Sequence, residues 1–212
     1  MIKIKSILLK YHQPIINIFL FICIGHYIYR ETHISQLFRK LDIIDITFFI
    51  HNIIFLAVIL IRKEYITIDK DWGHWIVVTL SFFSNLFFIK SESSRRIPFV
   101  IKGAGFVNAV SILVGILSLI SLGRSFGIVP AVREIKTGGL YKIIRHPMYL
   151  SDILFKIPIV MKYLNLYNIF IFIASVLLYI LRAGYEEHLL MDYTRYSTYM
   201  HKVKYRFIPR IY

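Results

Sequence analysis

The fold class this sequence predicts is all-α: a polytopic integral membrane helical bundle of four spans and a C-terminal helical hairpin. Three observations predict it. Apolar residues make up 57% of the 212, too many for a soluble domain of this size. They gather in long blocks, not in amphipathic stripes or strict alternation. Between the blocks the charges are lopsided: 26 Lys and Arg against 12 Asp and Glu, a formal net charge of +14. On a soluble domain that charge would point to nucleic acid. No soluble basic domain is left once the apolar blocks are set aside, so the cations are membrane-flanking loop residues and no nucleic-acid partner is expected. Cys23, the one cysteine, excludes an internal disulfide and a thiolate zinc cluster; no metal is expected.

In chain order, Lys3, Lys5 and Lys10 precede the first apolar run, residues 14–29. No small-residue cleavage site follows, which predicts an uncleaved first span. His26 within it is a packing or interface residue on the simplest account, although ionisable groups in membranes draw suspicion of function. The second span, 43–61, holds Asp45 and His51. They lie about 600° apart around a helix, on different faces, and make no site. Connector 62–71 mixes both signs and leads to Trp72 and Trp75, which suit an interfacial aromatic anchor. A third span over about 75–89 and a polar turn over 90–96 follow. Pro98 suits the start of the fourth span, about 100–122. Gly103, Gly105, Gly115 and several serines there allow close helix packing. No strand precedes Gly103 and Gly105, so they form no dinucleotide fingerprint.

Residues 123–149 are polar to mixed, too long for an idle connection, and rich enough in Tyr, Ile and Pro to be ordered. Residues 153–164 are apolar but too short to span, and hold Lys156, Pro158 and Lys162. With the run 166–181 they predict a helical hairpin whose second helix passes the membrane edge. The last thirty residues predict a short amphipathic helix and a tail. The expected organisation is residues 1–122 as the four spans and 123–212 as a catalytic region. Most Lys and Arg fall on one side of this topology, which predicts a cytoplasmic N-terminus and catalytic region.

Two polar clusters interrupt the apolar pattern: Thr137-Gly138-Gly139-Leu140-Tyr141-Lys142-Ile143-Ile144-Arg145-His146-Pro147-Met148-Tyr149, and Arg182-Ala183-Gly184-Tyr185-Glu186-Glu187. Each residue has a bland explanation alone. Arg182 and Glu186, four apart, could be a helix-surface ion pair worth about 0.3 kcal/mol. Pro147 could merely open a helix, Gly138-Gly139 could be a turn, and Tyr141 and Tyr149 could anchor at the interface. Together, and with Leu122-Gly123 before them and Tyr196, Tyr199, Val203, Arg206 and Ile208-Pro209 after them, they resemble the isoprenylcysteine carboxyl methyltransferase family. That family belongs to a wider group that includes membrane phospholipid N-methyltransferases. The resemblance covers about residues 122–212; the first 120 match only as membrane spans.

The resemblance implies S-adenosylmethionine as methyl donor, S-adenosylhomocysteine as product, and a site at the cytosolic membrane surface. Carried over by position, Arg133, Glu134, Ile135, Lys136, Tyr141, His146, Pro147, Met148, Tyr149 and Glu186 would hold the cofactor. Arg182 would face the substrate, and Arg182 and Glu186 would be the catalytic pair. Two departures stand out. Ser151 occupies a position where the family usually has Gly, and Arg133-Glu134-Ile135-Lys136 replaces a His-led tetrad of the eukaryotic members.

The chemistry is consistent with these residue types. Methyl transfer from a sulfonium is an in-line displacement, mostly a task of holding donor and acceptor about 3 Å apart and aligned. The donor's carboxylate suits Arg or Lys, its amine suits Glu, and its nucleoside suits Tyr and His. A carboxylate acceptor needs only a cation such as Arg182 to align it. An amine or thiol acceptor needs a base, for which Glu186 or Glu187 is the candidate. The expected partners are therefore the lipid bilayer and a lipophilic methyl acceptor, with no obligate protein partner. Two other readings compete: an NADPH-dependent sterol or isoprenoid double-bond reductase, and a non-enzymatic membrane protein. The reductases are longer and carry Asn near the position of Pro147-Met148. A transporter would need a polar path, and His26, Asp45 and His51 form no evident line.

Overall fold

The computed structural model describes residues 63–89, 98–127 and 130–211, with isolated positions between 18 and 57. The chain divides into two compact units, Met1–Ile61 and Arg62–Tyr212. In the first, the described positions are helical, and Ile18, Ile22, Ile46, Ile50 and Ile53 expose their side chains. His26 there is helical and exposed. The expected spans 14–29 and 43–61, with Cys23, Asp45 and His51, lie outside the described residues, as does the turn 90–96.

The second unit is predominantly helical. It opens with a feature the sequence did not announce: strand β1, Thr67–Ile68, pairs antiparallel with β2, Ala131–Val132. Backbone bonds from Ile66 N to Val132 O (2.7 Å) and Asp69 N to Pro130 O (3.0 Å) extend the ribbon. Helix α1, Trp72–Phe83, starts where the Asp71 carboxylate accepts from Gly73 N, satisfying an otherwise orphaned N–H. The Trp75 indole N–H is taken by Asp69 O at 2.7 Å, while Trp72 is exposed.

Over the expected third span the structure shows a short helix and a turn. Helix α1 has 12 residues, about 18 Å of rise, and then tightens into a 3₁₀ turn, Ser84–Phe87. The hydroxyls of Ser81 and Ser84 bond the carbonyls three residues back, at 2.7 and 2.6 Å. This local competition with the α-helical ladder accompanies the tightening.

Helix α2, Pro98–Leu122, has 25 residues and opens on the proline. Helix α3, Pro147–Lys162, and helix α4, Leu166–Met191, form the hairpin, and α5, Thr194–Lys202, follows. Two segments, Lys102–Ser125 and Leu166–Met191, are long and apolar enough to cross a membrane. Their outward side chains, among them Phe106, Leu113, Ile120, Phe170, Ile173 and Leu177, are exposed.

Small and polar groups decide how the helices meet. Ser151 of α3 is fully buried and donates to Ser111 O of α2 at 2.8 Å. A Cβ on Gly115 would stand 2.6 Å from Ser151 Oγ, so the glycine makes the room that the serine fills. Asn168 of α4 is fully buried, accepting from Ile89 N (3.0 Å) and donating to Ile89 O (2.9 Å) and Tyr163 O (2.7 Å). It ties the chain after α1 to the turn of the hairpin. Helix α5 is amphipathic, but its buried Tyr196 and Tyr199 pack on Tyr141, with Leu122, Ile135 and Leu190 around them. That face belongs to the protein core, and the helix is the short amphipathic one expected in the last thirty residues.

Candidate functional site

The turn ahead of α3 is shaped by one glycine. Gly139 has φ +57°, a left-handed conformation that favours glycine, and a Cβ there would run into the side chain of Ser121. The 3₁₀ turn Gly139–Lys142 follows, with Tyr141 buried. Pro147 begins α3, a position where its missing N–H costs nothing. The N–H groups just ahead of it do not enter the helix ladder. Arg145 N and His146 N are each bonded, at 2.9 Å, to Tyr205 O and Arg206 O. The motif and the C-terminal tail are therefore one backbone unit.

The two adjacent acids of α4 have different environments. Glu187 is sealed, at 1% exposure. Its Oε1 accepts from His146 Nε2 at 3.0 Å, and its Oε2 from Arg206 Nε at 3.0 Å, with Arg206 Nη2 2.8 Å away. Arg145 Nε is 2.9 Å from Oε1, yet its N–H finds no aligned acceptor. We take that contact as an ion pair, not a hydrogen bond, because angle as well as distance defines the latter.

Glu186 accepts a short hydrogen bond from Tyr149 OH through Oε1. The Tyr149 oxygen in turn accepts from Arg182 Nε at 2.9 Å. Arg182 is 1% exposed and spends its other nitrogens on Ser81 Oγ (3.3 Å) and Gly127 O (3.0 Å). Its guanidinium also lies over the Tyr149 ring, 4.7 Å from the centroid. His146 stacks on Tyr149 itself, with ring centroids 5.2 Å apart and planes 8° from parallel. Behind Tyr149 lies Tyr179, whose hydroxyl donates to Asp152 Oδ2 at 2.6 Å, with Lys156 Nζ over its ring.

These segments wall an open cleft of about 780 Å³, its solvent mouth included. Its walls are Leu122 and residues 125–127 after α2, Ala131 and residues 133–136 around and after β2, Tyr141, Arg145, His146, Met148, Tyr149, Glu186, Leu190, Tyr196 and Tyr199. At the rim, Glu134 bridges Lys136 (2.7 Å) and Lys63 (2.9 Å). Those hydrogen bonds, Lys136's first and Lys63's second, hold its carboxyl at about 2. Arg133 is 8% exposed and donates through Nε to Lys63 O at 3.0 Å. Among the described residues no acid pairs with it, and its sealed Nη1 has no partner. Burial lowers its pKa, with the charge of Glu186 opposing. Burial likewise pushes Tyr141, Tyr196 and Tyr199 well above the usual tyrosine range, and Tyr199 OH donates to Tyr141 O at 2.6 Å.

Of the residues singled out from the sequence, Arg133, Glu134, Ile135, Lys136, Tyr141, His146, Met148, Tyr149 and Glu186 line this one cleft. Pro147 and Arg182 do not. Pro147 is structural, and Arg182 stands behind Tyr149. Sequence reasoning gave no separate role to Arg145 or Arg206, the two guanidinium groups on Glu187. The one available signal was that no Asp or Glu occurs in residues 135–151 or 193–212, so their cations had to find an acid elsewhere. No group of three or more His, Cys, Asp and Glu that could hold a metal ion occurs among the described residues. In comparison with known proteins, no protein-family model and no curated protein matches the chain.

Proposed function

We propose that the chain is a multi-pass membrane methyltransferase that moves a methyl group from S-adenosylmethionine to a lipophilic acceptor, with the cleft as its cofactor site. The observation that carries this is a pair of unlike charges on one wall system. Arg133 is a buried guanidinium with no acid paired to it among the described residues. Among the described residues Glu186 is met only through Oε1, by Tyr149 and Arg182. An amino-acid zwitterion fits that pair, its carboxylate on Arg133 and its ammonium on Glu186. Tyr141, Tyr196, Tyr199 and His146 offer hydrogen-bonding and ring surfaces for a nucleoside. The resemblance of the two motifs to the isoprenylcysteine carboxyl methyltransferase family points the same way.

When bound, the cofactor supplies an electrophilic sulfonium methyl group. The chain's part is binding and alignment. Arg182 acts through Tyr149: it fixes the hydroxyl that donates to Glu186, and so the carboxylate that would hold the donor. The two apolar helices end at the cleft, at Leu122 and near Glu186, so an acceptor dissolved in lipid would meet the donor at the membrane edge. The charge bias of the loops supports a cytoplasmic location for the cleft and the N-terminus.

The test is ligand protection of the purified protein in detergent. S-adenosylhomocysteine is expected to raise the melting temperature and NADPH to leave it unchanged. Tritiated-methyl transfer in native membranes, followed by extraction, then identifies the acceptor. Protection by NADPH alone would assign the cleft to a reductase, and protection by neither would leave a non-enzymatic membrane protein.

A further inference from the structure

Beside the cleft, two segments distant in sequence make a rim with an unusual composition. The bonds from Arg145 N and His146 N to Tyr205 O and Arg206 O hold residues 142–146 against 204–206. Arg206 and Arg145 both hold Glu187, at Oε2 and Oε1 respectively, and Phe207 packs toward the His146 ring at 5.9 Å. On this fixed base Lys142, Lys204 and Arg210 are exposed, and so are Ile143 (55%), Ile208 (45%) and Ile211 (76%). No acid lies within either segment.

Cations alternating with bare isoleucines are a poor match to water alone. The isoleucines lose hydration cost only by entering an apolar phase, while the cations need counter-charges at the boundary of that phase. The turn before Lys142 abuts Ser121 near the end of α2, and Arg145 and Arg206 hold Glu187 near the end of α4; both helices are long and apolar enough to cross a membrane, which would bring the rim to its surface. We infer that this rim is a docking surface for anionic phospholipid headgroups, with Ile143, Ile208 and Ile211 dipping below them and Lys142, Lys204 and Arg210 meeting their phosphates. It rests on the membrane reading above, not on the identity of the donor. Each such cation near a charged leaflet contributes about 1 kcal/mol, roughly fivefold in local lipid preference.

The experiment uses the full chain with Cys23→Ser and a fluorophore on Ile208→Cys, reconstituted in phosphatidylcholine vesicles containing phosphatidylglycerol. Nitroxide-labelled phosphatidylglycerol is expected to quench at about fivefold lower mole fraction than nitroxide-labelled phosphatidylcholine. The preference should shrink with salt and disappear in Lys142→Gln/Lys204→Gln/Arg210→Gln. A probe on Leu166→Cys, at the other end of α4, should show no preference. Equal quenching by both lipids at position 208, quenching by neither, or a preference that survives the triple substitution overturns the inference. So does loss of quenching on adding polyuridylate at constant ionic strength, which would assign the rim to a soluble polyanion. If the protein floats with the vesicles but shows no preference, only the rim assignment falls. If it does not float, the membrane reading falls with it.

Discussion

At the scale of single residues, the cleft sorts its charges into spent and unspent. Among the described residues Arg182 and Glu187 are spent on the protein, whereas Arg133, held through Nε by Lys63 O, keeps its Nη1 unbonded and Glu186 is met through Oε1 alone. Arg133→Gln should therefore weaken S-adenosylhomocysteine about tenfold or more in a calorimetric titration, since a hydrogen bond to a charged group is worth about 1.5–3 kcal/mol. Arg182→Ala and Tyr149→Phe remove the support of Glu186 and not a group that meets the donor, so each should weaken S-adenosylhomocysteine less than Arg133→Gln does, and the two should resemble each other. Glu187→Gln removes the carboxylate that Arg145, His146 and Arg206 share. Breaking a buried pair costs about 3–5 kcal/mol, so this variant should melt markedly lower in detergent, with or without ligand. Glu134 is the pH-sensitive member of the rim. Its carboxyl sits at about 2, below the ordinary 4.5, because Lys136 and Lys63 bond its charged form. A depressed carboxyl stabilises the fold above the ordinary value, and its contribution is lost as pH falls through the range from 4.5 to about 2. Carbon NMR of Glu134 should show that low midpoint, and Lys136→Ala should move it upward.

At the scale of elements, the contact between α2 and α3 turns on a glycine opposite a serine. Ser151 is sealed and bonded to Ser111 O, so it cannot swing aside without losing that bond. Gly115→Ala is expected to cost about 1–3 kcal/mol, the usual range for overpacking. The double variant Gly115→Ala/Ser151→Gly should recover most of it in the same melting assay. Additive losses would show that the two positions do not share a contact. The pairing also accounts for Ser151 at a position where the resembling family usually has Gly: the small residue stands on the opposite helix. Helix α1 makes the complementary point. Its apolar run suggested a span, but two serines that bond backward and the 3₁₀ turn they accompany leave only a short α-helix.

At the scale of the second unit, the C-terminal tail is part of the site and not an appendage. It supplies the acceptors for Arg145 N and His146 N, the Arg206 side chain on Glu187, and, through α5, two tyrosines of the cleft wall. Truncation after Val203 should orphan two buried N–H groups and one carboxylate interaction at once. Loss of S-adenosylhomocysteine protection is the expected outcome, with the helical circular dichroism largely retained. A truncated protein that is still protected would show that the motif holds its shape without the tail.

Composition and blockwise hydropathy sufficed for a mostly helical chain with apolar helices, because helix length and apolarity are properties of contiguous residues. The polar motif was equally legible: Gly139, Pro147 and the charged run after Leu181 break an apolar pattern, and such breaks are local. What the linear order withheld were the contacts that close at a distance. The β1–β2 ribbon, the exchange between Glu187 and the two arginines, the retreat of Arg182 behind Tyr149 and the burial of the α5 tyrosines all join segments tens of residues apart. Which guanidinium is left free in the cleft depends on which others have already met an acid, and only the tertiary structure decides that, since partnership among like charges is a matter of distance and not of residue type.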